Sequence, residues 1–194
     1  MNFPPITQLL PAWLQTETER LQEPMDDVET RMRAVIALSQ RNITEGTGGP
    51  FAAAVFDRQT NRLVSTGVNL VISSGLSIAH AEIMAFSVAQ QLLHTYDLGA
   101  GALKGRYELV SSAEPCAMCF GALPWTGVSN VVCGATNADA CAIGFDEGPR
   151  HPRWIEELQR RGIEVQTSVC RDEARRVLAA YTASGGTIYN GHGD

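Results

Sequence analysis

The sequence predicts an α/β layered domain, with helices on both faces of a mixed sheet of about five strands. Three observations carry this expectation. Two short apolar runs around a polar turn give a hairpin, and helical and strand-like segments alternate after it. The chain has 194 residues, 44% hydrophobic and 19% charged, enough for one packed core and far from a disordered or fibrous composition. It shows no internal repeat and no low-complexity linker between folded units.

Leu9, Leu10, Trp13, Leu14 and Leu21 suit a short amphipathic helix. Val28, Met32, Val35, Ile36 and Ile43 recur at helical spacing and run into Gly46-Thr47-Gly48-Gly49-Pro50, a strong helix stop. The hairpin pairs Phe51 to Phe56 with Leu63 to Asn69 across the polar turn Asp57 to Asn61. After a loop at Ser73, Ser74 and Gly75, His80 to Tyr96 reads as a helix, and a Gly-rich loop leads to a strand at about Tyr107 to Ser111. Cys116 to about Trp125 predicts a helix, Val128 to Cys133 a strand, and Thr136 to Pro152 an irregular loop. A helix from Trp154 to Arg161, a strand from Ile163 to Val169 and a helix from Asp172 to Ala183 complete the series. The expected division is an N-terminal extension over 1–26, a domain over 27–184 and a Gly-rich tail over 185–194 around Ile188 and Tyr189.

Charge narrows the function classes. Fifteen Lys and Arg against 21 Asp and Glu leave a net charge of −6, a poor basis for gripping a phosphate backbone. Nucleic acid is therefore not the expected partner. No apolar run reaches the roughly 18 residues of a membrane span, and Pro4, Pro5 and Pro11 interrupt a start that lacks the features of a signal peptide. Five cysteines without an even framework point to reduced thiols and a cytoplasmic location.

Two short strings carry chemistry. His80-Ala81-Glu82 opens one helix, and Pro115-Cys116-Ala117-Met118-Cys119 opens another after a strand. One imidazole and two thiolates suit Zn²⁺, one ion per chain, and three protein ligands leave the fourth position for water or hydroxide. Cys116 and Cys119 fall in a first helical turn, where unpaired N–H groups and the helix dipole favour thiolate. Glu82 stands near the metal without needing to bind it, the position of a proton shuttle. Taken alone, each string has an ordinary reading: a helix-start histidine, or a redox or structural Cys-x-x-Cys pair. Cys133, Cys141, Cys170, His94 and His151 are isolated, Cys133 suiting a strand core and His94 a helix surface. Taken together, the strings match the zinc-deaminase signature.

That pair of motifs resembles the cytidine/deoxycytidylate deaminase superfamily of base and nucleoside deaminases. The resemblance implies a three-layer αβα sandwich around a five-stranded mixed sheet. Gly48-Gly49-Pro50-Phe51, Asn69, Ser112-Ala113-Glu114, Trp125 and Ile143-Gly144-Phe145-Asp146-Glu147 are further similar to bacterial guanine deaminases. This implies zinc on His80, Cys116 and Cys119 and proton transfer by Glu82 and Glu147. It also implies base contacts from Asn69, Phe51, Trp125, Asp146 and the backbone N–H of Ala81. The implied reaction is hydrolytic deamination of guanine to xanthine and ammonia in purine catabolism. The implied assembly is a homodimer whose C-terminal segment, with Tyr189, can close over an active site. An acidic acceptor suits the N–H donors on guanine's edge. The rival readings are a transfer-RNA wobble adenosine deaminase, for which the Arg171, Arg175 and Arg176 cluster speaks, and a deaminase of cytosine or an aminotriazine.

Overall fold

The computed structural model describes residues 10–191; residues 1–9 and 192–194, including the expected helix start at Leu9, lie outside the described residues. A five-stranded sheet runs in the order β2-β1-β3-β4-β5, with β1 Ala52–Asp57, β2 Arg62–Val68, β3 Tyr107–Ala113, β4 Asn130–Ala135 and β5 Glu164–Gln166. β1 pairs antiparallel with β2 and β3, while β3, β4 and β5 run parallel, so the sheet is mixed as expected. β1 and β3 are buried along their whole length and, apart from Asp57 and Glu108, read as apolar or small runs, as strands covered on both faces do.

Two apolar layers lie against the sheet. On one face α1 (Ala12–Arg20), α2 (Val28–Thr44) and α8 (Arg171–Ala183) pack on Ala52, Ala54, Phe56, Val110 and Val132. On the other, α4 (Ala81–Leu92), α5 (Ala117–Thr126) and α7 (Trp154–Gln159) cover Ala53, Val55, Leu109, Val131 and Cys133. The alternation of odd and even strand residues between the two clusters is the period-2 pattern of a sheet sandwiched by helices. Cys133 sits in this core, and His94 is exposed in the turn just after α4.

Three elements depart from the sequence reading. The stretch after β4 is not irregular throughout: Asn137–Ala142 forms α6, with Thr136 and Asp139 making a reciprocal capping box. Val71–Ser74 is a one-turn helix, α3, stopped by Gly75 at φ +67°. β5 is shorter than expected, because it meets β4 only at Asn130, Val131 and Val132 before turning away. The N-terminal segment is no loose appendage: Leu14 is fully buried in the core, and Thr18 Oγ1 lies 2.6 Å from Thr66 Oγ1 of β2.

One glycine sets the height of the helix layer. A Cβ at Gly67 of β2 would overlap the Ala81 carbonyl, the Ala85 N and the Met84 Cβ, so α4 lies directly on the strand there. That contact fixes the first turn of α4, on which the site is built.

Candidate active site

His80 is the N-cap of α4 and Cys116 the N-cap of α5, so two helix starts converge beyond the C-terminal end of β3. The positive ends of both dipoles point into the same space, which favours thiolate. Cys119 follows one turn into α5 and is fully buried. The ligand atoms of His80, Cys116 and Cys119 lie within 4.8 Å of one another. Zinc bonds of about 2.0–2.3 Å set tetrahedral ligand atoms roughly 3.5 Å apart, and His80 Nδ1 already stands 3.5 Å from Cys116 Sγ. The donor set and its spacing fit zinc.

The electrostatics agree with a waiting cation. Hydrogen bonding from Cys119, with support from His80, draws the Cys116 thiol down to about 4. The same Cys116 thiolate, and then burial, push Cys119 well above the usual thiol range. The pair thus holds one negative charge until a cation displaces the second proton. Burial depresses His80, and the Cys116 thiolate more than offsets it, so its net shift is upward.

Glu82, in the first turn of α4, is buried and takes no place among the three ligands. Its Oε2 accepts from Cys119 Sγ at 3.4 Å. Burial raises its carboxyl, Cys116 adds to that, and His80 opposes it. A carboxyl held high and next to an open metal position can take and return a proton.

A cavity of about 220 Å³ opens beside these groups. Phe51, Asn69, Asp146, Glu147 and Tyr189 all line it with His80, Glu82 and Cys116. Asn69 is buried, and its Oδ1 accepts from Val71 N at 3.3 Å, so its Nδ2 is the group that donates into the cavity. Glu147 stays over the metal site because its carbonyl accepts from Ala117 N at 2.8 Å. Burial, and then the Cys116 charge, push its carboxyl up to about 8; a divalent cation beside Cys116 opposes the second effect. Asp146 is exposed at the rim, its Oδ1 accepting from Gly148 N at 2.8 Å.

The tail folds back over this chain's own cavity. Asn69 Nδ2 donates to the Tyr189 hydroxyl, and the Tyr189 ring lies edge-on to Phe145 with centroids 5.2 Å apart. Asn190 Oδ1 accepts from Asp146 N at 2.8 Å and its Nδ2 donates to Gly144 O at 3.1 Å.

One expected base contact is corrected. Trp125 stands 82% exposed and does not line the cavity, because it lies nine residues along α5 from Cys116, about 13 Å down the helix axis. Ala81, expected to offer its backbone N–H, is fully buried at the start of α4 between His80 and Glu82. The sequence reading passed over Arg150 altogether and quoted Glu114 only within a motif. Glu114 lines the cavity and forms a shielded ion pair with Arg150 at 3.0 Å.

Residues 25–135 match the cytidine and deoxycytidylate deaminase zinc-binding region. The chain belongs to this family, and it is a zinc-dependent hydrolytic deaminase. It is 33% identical over 119 residues to a guanine deaminase of Bacillus subtilis (strain 168), covering 61% of this chain and 71% of that protein. It superposes on NE0047 in complex with 2,6-diaminopurine with a TM-score of 0.87 at 48% identity, over 93% of this chain and 94% of the other. A structure of guanine deaminase from Nitrosomonas europaea matches with a TM-score of 0.87 at 45% identity, over 92% and 97% of the two chains.

Proposed function

We propose that this chain hydrolyses guanine to xanthine and ammonia. The observation that carries the reading is a buried carboxylate, Glu82, beside a three-ligand metal site, both opening into one small cavity with Asn69 and Glu147. The relatives named as guanine deaminases support the choice of base.

When bound, zinc supplies a strongly acidified water at its open position. Glu82 accepts a proton from that water and passes it to the ring nitrogen next to C2 as C2 takes up the oxygen. The carbon then carries both hydroxyl and amine. Glu147, whose carboxyl is raised first by burial, gives a proton to the amine, which leaves as ammonia. The hydroxyl proton returns to a carboxylate as C2 becomes a carbonyl, so water and guanine become xanthine and ammonia with no redox change. Asn69 Nδ2, which faces the Tyr189 hydroxyl, is the donor for an acceptor on the base edge. Phe51 packs against the ring, and Asp146 and Tyr189 close the rim.

A transfer-RNA substrate is disfavoured by the surface. Arg171 and Arg175 both pair with Asp139, at 2.8 and 3.1 Å, and Asp172 and Glu173 share the helix with Arg176, so the last helix offers a polyanion little net positive charge. No helix among the described residues is long and apolar enough to cross a membrane. We read the protein as a cytoplasmic homodimer acting in purine catabolism. α5, whose ten residues include no charge and expose Trp125, supports the dimer.

Ammonia release from guanine, cytosine, adenine and an anticodon stem-loop tests the substrate. Turnover of guanine alone is the expected result, and turnover of the stem-loop instead would move the function to RNA modification.

A further inference from the structure

Asn42, in the last turn of α2, is completely buried and belongs to no part of the zinc site. Its Nδ2 donates to two backbone carbonyls, Gly49 O at 2.8 Å and Asn69 O at 2.9 Å. Its Oδ1 accepts from Thr47 Oγ1 at 2.6 Å. The Thr47 hydroxyl in turn accepts from Trp13 Nε1 of α1 at 3.2 Å. The directions follow from the chemistry. Two carbonyls can face only the amide nitrogen, so the single hydroxyl proton of Thr47 goes to Oδ1 and its lone pair to the indole.

The two carbonyls belong to separate segments that meet at the cavity. Gly49 precedes Phe51, and Asn69 follows β2; Asn69 N donates to Phe51 O at 3.0 Å. Gly48 lies so close to the Asn69 carbonyl that a Cβ there would overlap it. Asn42 therefore clamps the two segments that carry the aromatic wall and the donor amide of the pocket. Among the described residues no other side chain donates to the Asn69 carbonyl, and a donor must be held tightly to discriminate between ligands.

We infer that Asn42 is a positioning residue for substrate binding, holding Asn69 and the 47–51 loop in register through its two carbonyl contacts, with Thr47 fixing its rotamer. This rests on the reading of Asn69 as the amide that contacts the base. Neither Asn42 nor Thr47 touches the cavity, so their effect belongs to binding rather than to proton transfer.

The test is steady-state guanine deamination by zinc-loaded Thr47→Val, Thr47→Ser and Asn69→Ala, with zinc content and circular dichroism measured on each. Thr47→Val keeps the shape and deletes the hydroxyl, and Thr47→Ser restores it. Thr47→Val is expected to raise KM about fivefold with kcat within about twofold, and Thr47→Ser to return KM to the wild-type value. Asn69→Ala is expected to raise KM by about tenfold or more. A Thr47→Val enzyme with lower thermal stability but unchanged KM, while Asn69→Ala raises KM, overturns the inference alone. An unchanged KM in Asn69→Ala sinks the base contact itself, and the inference with it.

Discussion

Replacing Arg150 by Met should damage both stability and turnover without emptying the metal site. Arg150 Nη2 and Glu114 Oε2 meet at 3.0 Å with side chains only 13% and 10% exposed. Arg150 Nη1 also donates to Pro115 O at 3.2 Å, and its guanidinium lies 4.5 Å from the centre of the Trp154 ring. Glu114 Oε2 further accepts from Asn137 N at 3.1 Å at the start of α6. Methionine keeps part of the packing on Trp154 but leaves a shielded carboxylate without its cation. Breaking such a pair from one side costs about 3–5 kcal/mol. At about 2–4 °C per kcal/mol for a domain of this size, the melting temperature should fall by about 6–20 °C. The loop from Phe145 to Arg150 carries Glu147, and its loss of anchorage should lower kcat by about tenfold or more. The assay pairs a thermal melt with ammonia release at matched zinc content. The double variant Glu114→Gln/Arg150→Met removes both charges and should recover much of the melting temperature but not kcat. A single variant melting within about 2 °C of the wild type, or a double variant no more stable than the single, would show that the buried pair does not anchor this loop.

Three further outcomes follow from the fold. Asp139, 9% exposed, is held well below the usual carboxylate range, first by the Arg171 guanidinium. A depressed folded-state pKa contributes stability above the ordinary Asp value and loses it as pH falls below about 5 towards the depressed value. Melting curves across that range should therefore drop more steeply for the wild type than for Asp139→Asn. Leu14→Ala opens a cavity at the one buried residue of α1 and should cost about 3–5 kcal/mol in a denaturant titration; a cost under about 1 kcal/mol would show that α1 is a dispensable extension. Gly67→Ala should push α4 off β2, displacing His80 and Glu82, and metal analysis should find the purified protein short of zinc.

The parts of this account legible in the sequence are those whose signal is local. The hairpin announced itself through two apolar runs and a polar turn, and β1 and β2 fall within a residue or so of where those runs lie. His80, Glu82, Cys116 and Cys119 could be found because ligand chemistry demands certain residue types at fixed spacing. Glu147, Asn69 and Tyr189 were reached through resemblance, since an acidic loop residue or a tail tyrosine carries no periodic mark. α6 was missed although Thr136 and Asp139 stand at capping-box spacing, because Gly and Pro elsewhere in that stretch outweighed them. Trp125 was misplaced because a motif position says nothing about how far along a helix a side chain lies from the site. Asn42 and Arg150 left no trace at all. Their roles exist only once Gly49, Asn69, Glu114 and Trp154 have been brought to them from distant parts of the chain.

The proposed chemistry turns on Glu82 as the group that moves the proton in deamination of guanine. The most direct measurement is ammonia release from guanine by Glu82→Gln, with zinc content determined on the same sample. A full complement of zinc is expected, since Glu82 is not among the ligands, with kcat reduced by about 10²–10⁴-fold. Turnover at the wild-type rate by a zinc-replete Glu82→Gln enzyme would contradict that role for Glu82.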